Sequence, residues 1–355
     1  MDITDEHTGT DGNRKQIYRQ PELNIIYIKE GEKPELPALA ATIGFFDGVH
    51  RGHRFLIGRV VDEARQSGMA SAVITFDRHP RQVLQADYQP ELLTTLERKL
   101  QLLSETQVDN TLVLHFDRSL AALPARRFMD EVLRRQLNVR KLLIGYDNRF
   151  GHDRAEGFDD YVRYGQALGI EVVRADAFLP GGEKVSSSVI RDRIRRGDIA
   201  SANRLLGYAY TIESTIVRGY GNGHRLGFPT ANLDMAACRQ LIPAAGVYAV
   251  AVRQKDSSEW RRGMMNIGTR PTFNGKAMSM EVNIFRFDGD LYDKPLAVSF
   301  IAKIRDERRF GSLEALAHQL EQDREAINTC SMSDRSGSRW KPDCRQPAEE
   351  QSDHH

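Results

Sequence analysis

Ala40-Ala41-Thr42-Ile43-Gly44-Phe45-Phe46-Asp47-Gly48-Val49-His50-Arg51-Gly52-His53 is the stretch that decides the fold. Its first seven residues read as a buried strand, and the rest as a glycine-rich turn. Beyond the turn Leu56, Ile57, Val60, Val61 and Ala64 recur at helical spacing until Ser67-Gly68 stops the run. Residues 70–76 are again an apolar strand. Strand, turn, helix and strand make a βαβ unit, which implies a parallel sheet with a right-handed crossover. The pattern continues with strands over 111–116, 141–145 and 170–174 and helices over 125–136 and 159–168. The expected architecture is an open α/β sheet, which binds ligands beyond the carboxyl ends of its strands.

The turn itself points to phosphate. A helix N-terminus offers free N–H groups and a partial positive charge. Gly44, Gly48 and Gly52 let an anion approach the backbone. His50 and His53 can donate hydrogen bonds to phosphate oxygens as charge grows on them. A metal pair is disfavoured because no third ligand lies at suitable spacing nearby. A second anion site is expected at Val185-Ser186-Ser187-Ser188-Val189-Ile190-Arg191, where serines cap a helix. Ile190 and Ile194 face inward there, so Arg191 and Arg195 share an edge suited to the phosphates of ATP.

Near Gly207 the pattern changes to short alternating segments at 210–217, 246–252, 280–287 and 296–304, with Asp288-Gly289 read as a tight hairpin between the last two. So few strands avoid exposed edges best by closing into a barrel. A helix follows, with Ser312 as N-cap and Leu313, Leu316, Ala317 and Leu320 as its buried stripe. Residues 218–232 hold a glycine loop ending Gly227-Phe228-Pro229-Thr230-Ala231-Asn232. Its glycines fit either a structural turn or a phosphate nest. Thr230 and Asn232 are two apart, so an extended chain turns both oxygens to one side, where they can hold Mg²⁺. Glu281 lies in an otherwise apolar strand, as an outward residue or as a functional acid.

Composition bounds these readings. The 355 residues suggest two domains. With 50 Lys+Arg against 49 Asp+Glu, the net charge of +1 argues against a broad basic surface and so against nucleic-acid binding as the main task. Cys238, Cys330 and Cys344 are too few and too dispersed for a disulfide framework or a four-ligand zinc site. The most apolar stretch, 36–46, is too short to cross a bilayer, and the polar N-terminal segment does not look like a leader. A soluble, cytoplasmic protein with no membrane partner is expected. Residues 328–355 are polar and aperiodic, with Trp340 their only aromatic, and are expected to be disordered.

The Gly44–His53 turn matches the HxGH nucleotidyltransferase motif, and Val185–Arg191 resembles the second phosphate motif of that superfamily. Together with Ile74-Thr75-Phe76-Asp77 and Ile144-Gly145-Tyr146-Asp147-Asn148-Arg149-Phe150-Gly151, they resemble the adenylyltransferase half of the bacterial bifunctional riboflavin kinase/FAD synthetase family. The GFPTAN run resembles that family's kinase barrel. Asn266 to Phe273 is similar to its flavin-side loop, and Ile304-Arg305-Asp306-Glu307 to its arginine-bearing flap. Ser188 stands where the family usually has Thr, and Asn148 where an aromatic is common.

The resemblance implies a flexible segment over 1–19 and a Rossmann-like HxGH FMN adenylyltransferase domain over 20–206. A small all-β riboflavin kinase barrel with a C-terminal helix follows over 207–327. It implies ATP and Mg²⁺ as cofactors, with riboflavin, FMN and FAD as substrates and products, and a weak or transient homo-oligomer. His50, His53 and Arg191 would act in FAD formation, and Glu281 as the base of the kinase. Gly44, Phe46, Asp47, Gly48, Gly52, Asp147, Ser187 and Ser188 would line the first nucleotide site. Gly219, Gly221, Gly223, Gly227, Pro229, Thr230, Asn232 and Arg305 would line the second, with Mg²⁺ on Thr230 and Asn232. The rival is a nucleotidyltransferase for another phosphorylated acceptor, its barrel only binding flavin.

Overall fold

The structure, a computed structural model, describes residues 24–330 apart from 30, 86, 146–148, 153–155, 219–226 and 273–274. The expected N-terminal segment 1–19, Asp147, Gly219, Gly221, Gly223 and the tail beyond residue 330, Trp340 included, lie outside the described residues.

The first half is a six-stranded sheet in the order β1-β4-β3-β2-β5-β6, every pair parallel. The strands are β1 (Asn24–Ile28), β2 (Leu39–Ile43), β3 (Ala70–Phe76), β4 (Asn110–Leu114), β5 (Val139–Ile144) and β6 (Glu171–Arg174). β2 and β4 are buried at every position, as strands covered by helices on both faces must be. Helix α1 (Arg51–Gln66) buries Ile57, Val60, Val61 and Ala64, the residues its periodicity marked. Helices α2 (Pro80–Leu84) and α3 (Leu96–Ser104) fill the β3–β4 crossover, α4 (Arg118–Ala121) follows β4, and α5 (Ala125–Arg127) runs on as a π-helix over Phe128–Gln136. Helix α6 (Phe158–Leu168) stops at Gly169 in the left-handed region. β1, α2, α3 and α4 are additions to the sequence reading. From β2 the chain winds outward to β3 and β4, then returns to β5 on the other side of β2. That reversal opens a crevice at the carboxyl ends of β2 and β5.

Helices α7 (Ser187–Arg195) and α8 (Ile199–Leu206) lead into a closed antiparallel barrel, order β10-β11-β8-β7-β12-β9. Its strands are β7 (Thr211–Val217), β8 (Ala231–Leu233), β9 (Gly246–Gln254), β10 (Arg261–Thr272), β11 (Gly275–Ile284) and β12 (Pro295–Arg305). Ile190, Ile194, Leu205 and Leu206 share one core with Ile212, Val250, Met265, Val282 and Phe300, so the connecting helices plug the barrel rather than merely tether it.

Several expectations need correction here. β10 runs through the Asn266–Thr272 stretch that was read as a loop. Asp288-Gly289 is no tight hairpin: β11 pairs with β10 and β8, whereas β12 pairs with β7 and β9. In α9 (Leu313–Thr329) the N-cap is Ser312 as expected, but Leu313 is exposed and the buried residues are Asp323 and Ile327. The helix also passes the expected start of the tail, and Cys330 beyond it is buried. Cys330 is disulfide-bonded while Cys238 is free. Among the described residues no helix is long and apolar enough to cross a membrane.

Candidate active site

The β2–α1 turn is bent by its backbone. Phe46 (φ 54°), Gly48 (φ 80°) and Val49 (φ 35°) all lie in the left-handed region, uncommon for the bulky Phe and Val. Burial holds them there, with Phe46 and Val49 in the core. At Gly48 a Cβ would sit 2.9 Å from the Leu93 side chain, so only glycine fits without a shift. The bend makes His50 the N-cap of α1, its Nδ1 accepting the His53 amide at 3.2 Å. That bond leaves the proton of a neutral His50 ring on Nε2. The two imidazoles stack, centroids 3.5 Å apart, with Phe46 edge-on to His53 at 5.1 Å. Burial, then the charges of His50, Lys99 and Arg191, hold His53 well below the usual imidazole pKa. Its buried Nδ1 has no hydrogen-bond partner among the described residues, which suits a ring awaiting an acceptor.

Asp47 is 4% exposed, and its carboxylate turns inward. It accepts the amides of Leu93 (3.0 Å) and Thr94 (3.1 Å) and pairs with Arg191 Nη2 at 2.5 Å. Arg191 Nε also donates to Glu91 O at 2.8 Å, and Arg195 pairs with the Glu91 carboxylate. Ser186 caps α7, Ser187 Oγ donates to Asp47 O at 3.1 Å, and Ile190 and Ile194 are fully buried. The HxGH turn and the serine–arginine helix therefore converge, as their shared chemistry required. Between them opens a cavity of about 820 Å³ lined by Gly44, Phe45, His79, Tyr88, Ser188, Arg191 and Arg195, with Phe76, Phe116, Phe128 and Phe150 at its apolar end. Its polar and aromatic lining suits a nucleotide and a flat aromatic partner.

His79 was missed by the sequence reading. It caps α2, accepts the Arg81 amide on Nδ1 at 3.2 Å and meets the Phe45 ring at 4.8 Å. Burial, then Arg191, Arg81 and Lys99, lower its pKa to about 4. The His-Pro pair opening a short helix right after β3 was the available signal.

In the barrel, Thr230, Asn232 and Glu281 come together. Glu281 is opposite Asn232 in the β11–β8 register, and Thr230 Oγ1 donates to Glu281 Oε2 at 3.3 Å. Pro229 O accepts from Asn283 Nδ2 at 2.6 Å, fixing the end of the glycine loop, and Gly227 has φ 74°. Arg305 is held elsewhere: its guanidinium grips the buried Asp323 of α9 at 2.8–3.1 Å and lies over the Phe310 ring. Among the described residues no cluster of three or more His, Cys, Asp or Glu is arranged to hold a metal.

The two sites together define a two-domain, nucleotide-using transferase. The chain matches the family model described as FAD synthetase over residues 32–189 and that described as riboflavin kinase over 206–331. It is 38% identical to a bifunctional riboflavin kinase/FMN adenylyltransferase of Escherichia coli K12 over 79% of this chain and 89% of that one. The protein of the same name from Bacillus subtilis is 34% identical, over 82% of this chain and 92% of that one. A crystal structure described as a macrolide-efflux protein from Streptococcus pneumoniae superposes with a TM-score of 0.76 at 29% identity, covering 86% of this chain and 99% of that one. The chain belongs to the bifunctional riboflavin kinase/FMN adenylyltransferase family.

Proposed function

We propose that this chain makes FMN from riboflavin in the barrel and FAD from FMN in the α/β domain, with ATP as donor in both. The observation that supports the reading is the presence of two separate polar constellations, His50–His53–Arg191 at the sheet and Thr230–Asn232–Glu281 in the barrel.

In the barrel, Glu281 takes the proton of the riboflavin 5′-hydroxyl as that oxygen attacks the γ-phosphorus of ATP, releasing ADP. Thr230 and Asn232 fit Mg²⁺. The Thr230 hydroxyl gives its proton to Glu281 and so offers its lone pairs, and Mg²⁺ takes few protein oxygens where phosphates and water supply the rest. Bound there, the ion would neutralise charge on the phosphates. In the α/β domain, a phosphate oxygen of FMN attacks the α-phosphorus of ATP in line, and pyrophosphate leaves. The nucleophile is already an anion, so no general base is needed. His50 and His53 donate to oxygens that gain charge, and Arg191 steadies the pyrophosphate. The Asp47 carboxylate acts one step back, holding Arg191 and the 92–94 segment. We assign adenylyl transfer to 20–206 and riboflavin phosphorylation to 207–327, with α9 closing the barrel unit.

Incubation with riboflavin, ATP and Mg²⁺, followed by chromatography of the flavins, tests the reading. FMN and then FAD are expected. FAD from added FMN without any FMN from riboflavin would favour the rival with a non-catalytic barrel.

A further inference from the structure

Lys99 is the residue of the α/β domain that the mechanism leaves unused and packing alone does not account for. It sits on the inner face of α3 and is 2% exposed. Its Nζ donates to Phe45 O at 3.1 Å, to Thr75 Oγ1 at 3.1 Å and to Phe76 O at 2.9 Å. Thr75 Oγ1 donates in turn to Phe45 O at 3.1 Å. The three protons of the ammonium are thus spent on the carboxyl ends of β2 and β3, the strands that deliver the HxGH turn and the His79 cap. Nζ also lies 4.2 Å from the centroid of the Phe45 ring, whose other contacts face the cavity and His79. No carboxylate among the described residues stands at ion-pair distance. Its nearest charged and titratable neighbours are Asp47 after β2, Asp77 after β3, His53 on α1 and His79 capping α2. A buried cation satisfied only by neutral acceptors is costly. Methionine would fill much of the same space without that cost. An anion arriving at the cavity would supply the missing counter-charge.

We propose that Lys99 is a positioning residue for adenylyl transfer, holding the Phe45–Asp47 turn in place while setting a fixed positive charge beneath the floor on which the ATP and FMN phosphates meet. The proposal rests on the adenylyl-transfer reading of this site. Lys99 acts through the turn and through space, and need not touch either substrate.

The charge has a pH signature. Burial lowers the Lys99 pKa to about 8, with Asp47 and Asp77 opposing the shift. The ammonium is therefore present below pH 8 and lost above it. Over the interval from there to the unfolded value near 10.4, the unfolded chain binds the extra proton, so folding stability rises with pH. Activity and stability thus move in opposite directions, which separates loss of the charge from unfolding.

The test measures kcat/KM for FMN at saturating ATP from pH 6.5 to 9.5, because kcat/KM reports the free enzyme. Riboflavin phosphorylation by the same chain is the internal control. The wild-type adenylylation profile should fall through about pH 8 with no matching fall in the kinase profile. Lys99→Met should lower adenylylation about tenfold at pH 7 and abolish the alkaline limb, with kinase activity preserved. Lys99→Arg should keep the charge and extend activity past pH 9. A wild-type profile flat to pH 9, a limb that survives in Lys99→Met, or a Lys99→Met rate equal to wild type would each overturn the proposal. If the wild type forms no FAD at all, it is the functional reading that fails.

Discussion

Asp47→Asn is the most informative single substitution, because it changes one charge and little volume. The native carboxylate is 4% exposed, accepts the Leu93 and Thr94 amides and pairs with Arg191 Nη2 at 2.5 Å. The amide keeps one acceptor oxygen for the 93–94 backbone. Its NH₂ must then face either Arg191 or the Leu93 amide, donor against donor. Breaking a buried ion pair by removing one partner costs about 3–5 kcal/mol. The Arg191 side chain is 20% exposed and can recover some hydration, so the lower end applies, about 3 kcal/mol. For a unit of this size, 1 kcal/mol moves the melting temperature by about 2–4 °C, so a drop of about 6–12 °C is expected. Arg191 would also lose half its anchoring, and FAD formation should fall at least about tenfold. Scanning calorimetry with parallel assays of both activities reads these effects. A melting temperature within 2 °C of wild type, taken here as roughly the effect of 1 kcal/mol, together with unchanged FAD formation, would refute the reasoning.

Other predictions separate the two sites. His53→Ala should stop FAD formation while FMN still accumulates from riboflavin, whereas Glu281→Ala should block riboflavin phosphorylation and leave FMN-to-FAD conversion intact; chromatography of products from each starting flavin distinguishes them. Acid should destabilise the α/β half. His53 and His79 stay neutral in the fold, with pKa values well below normal and about 4 respectively, so between pH 6.5 and about 4 the unfolded chain takes up protons the folded chain refuses. Denaturant midpoints should fall over that window, and fall less steeply in His79→Asn. A chelator of divalent cations should abolish riboflavin phosphorylation and added Mg²⁺ should restore it, since Thr230 and Asn232 offer oxygens but no charge to the nucleotide phosphates.

What the sequence revealed followed from local periodicity. The segments of the βαβ unit, the histidine turn and the Ser186-capped helix are written in local patterns, and each lies where the spacing put it. Features set by distant partners were illegible. The resemblance makes Asp47 a residue of the nucleotide site, yet its carboxylate serves Leu93, Thr94 and Arg191. Nothing in the local pattern marks Lys99, and only the packing of α3 against two strand ends makes it a buried cation. β10 escaped because Asn266, Gly268 and Thr269 break the alternation that marks a strand, and Gly268 is where Glu307 comes close. Asp288-Gly289 has the chemistry of a hairpin, but barrel closure sends β12 to β7 and β9 instead of to β11. In α9, Asp323 continues the inward stripe of Leu316 and Leu320, yet a carboxylate there reads as solvated; Arg305 of β12 meets it and keeps it buried.

The central claim is that one chain performs two different phosphorus chemistries at two sites. Positionally labelled ATP tests it most directly. Starting from riboflavin, label at the γ-phosphorus should appear in FMN. Label at the α-phosphorus should be absent from FMN and appear in FAD, with pyrophosphate released alongside. FMN without γ-label, or FAD without α-label, would contradict the account.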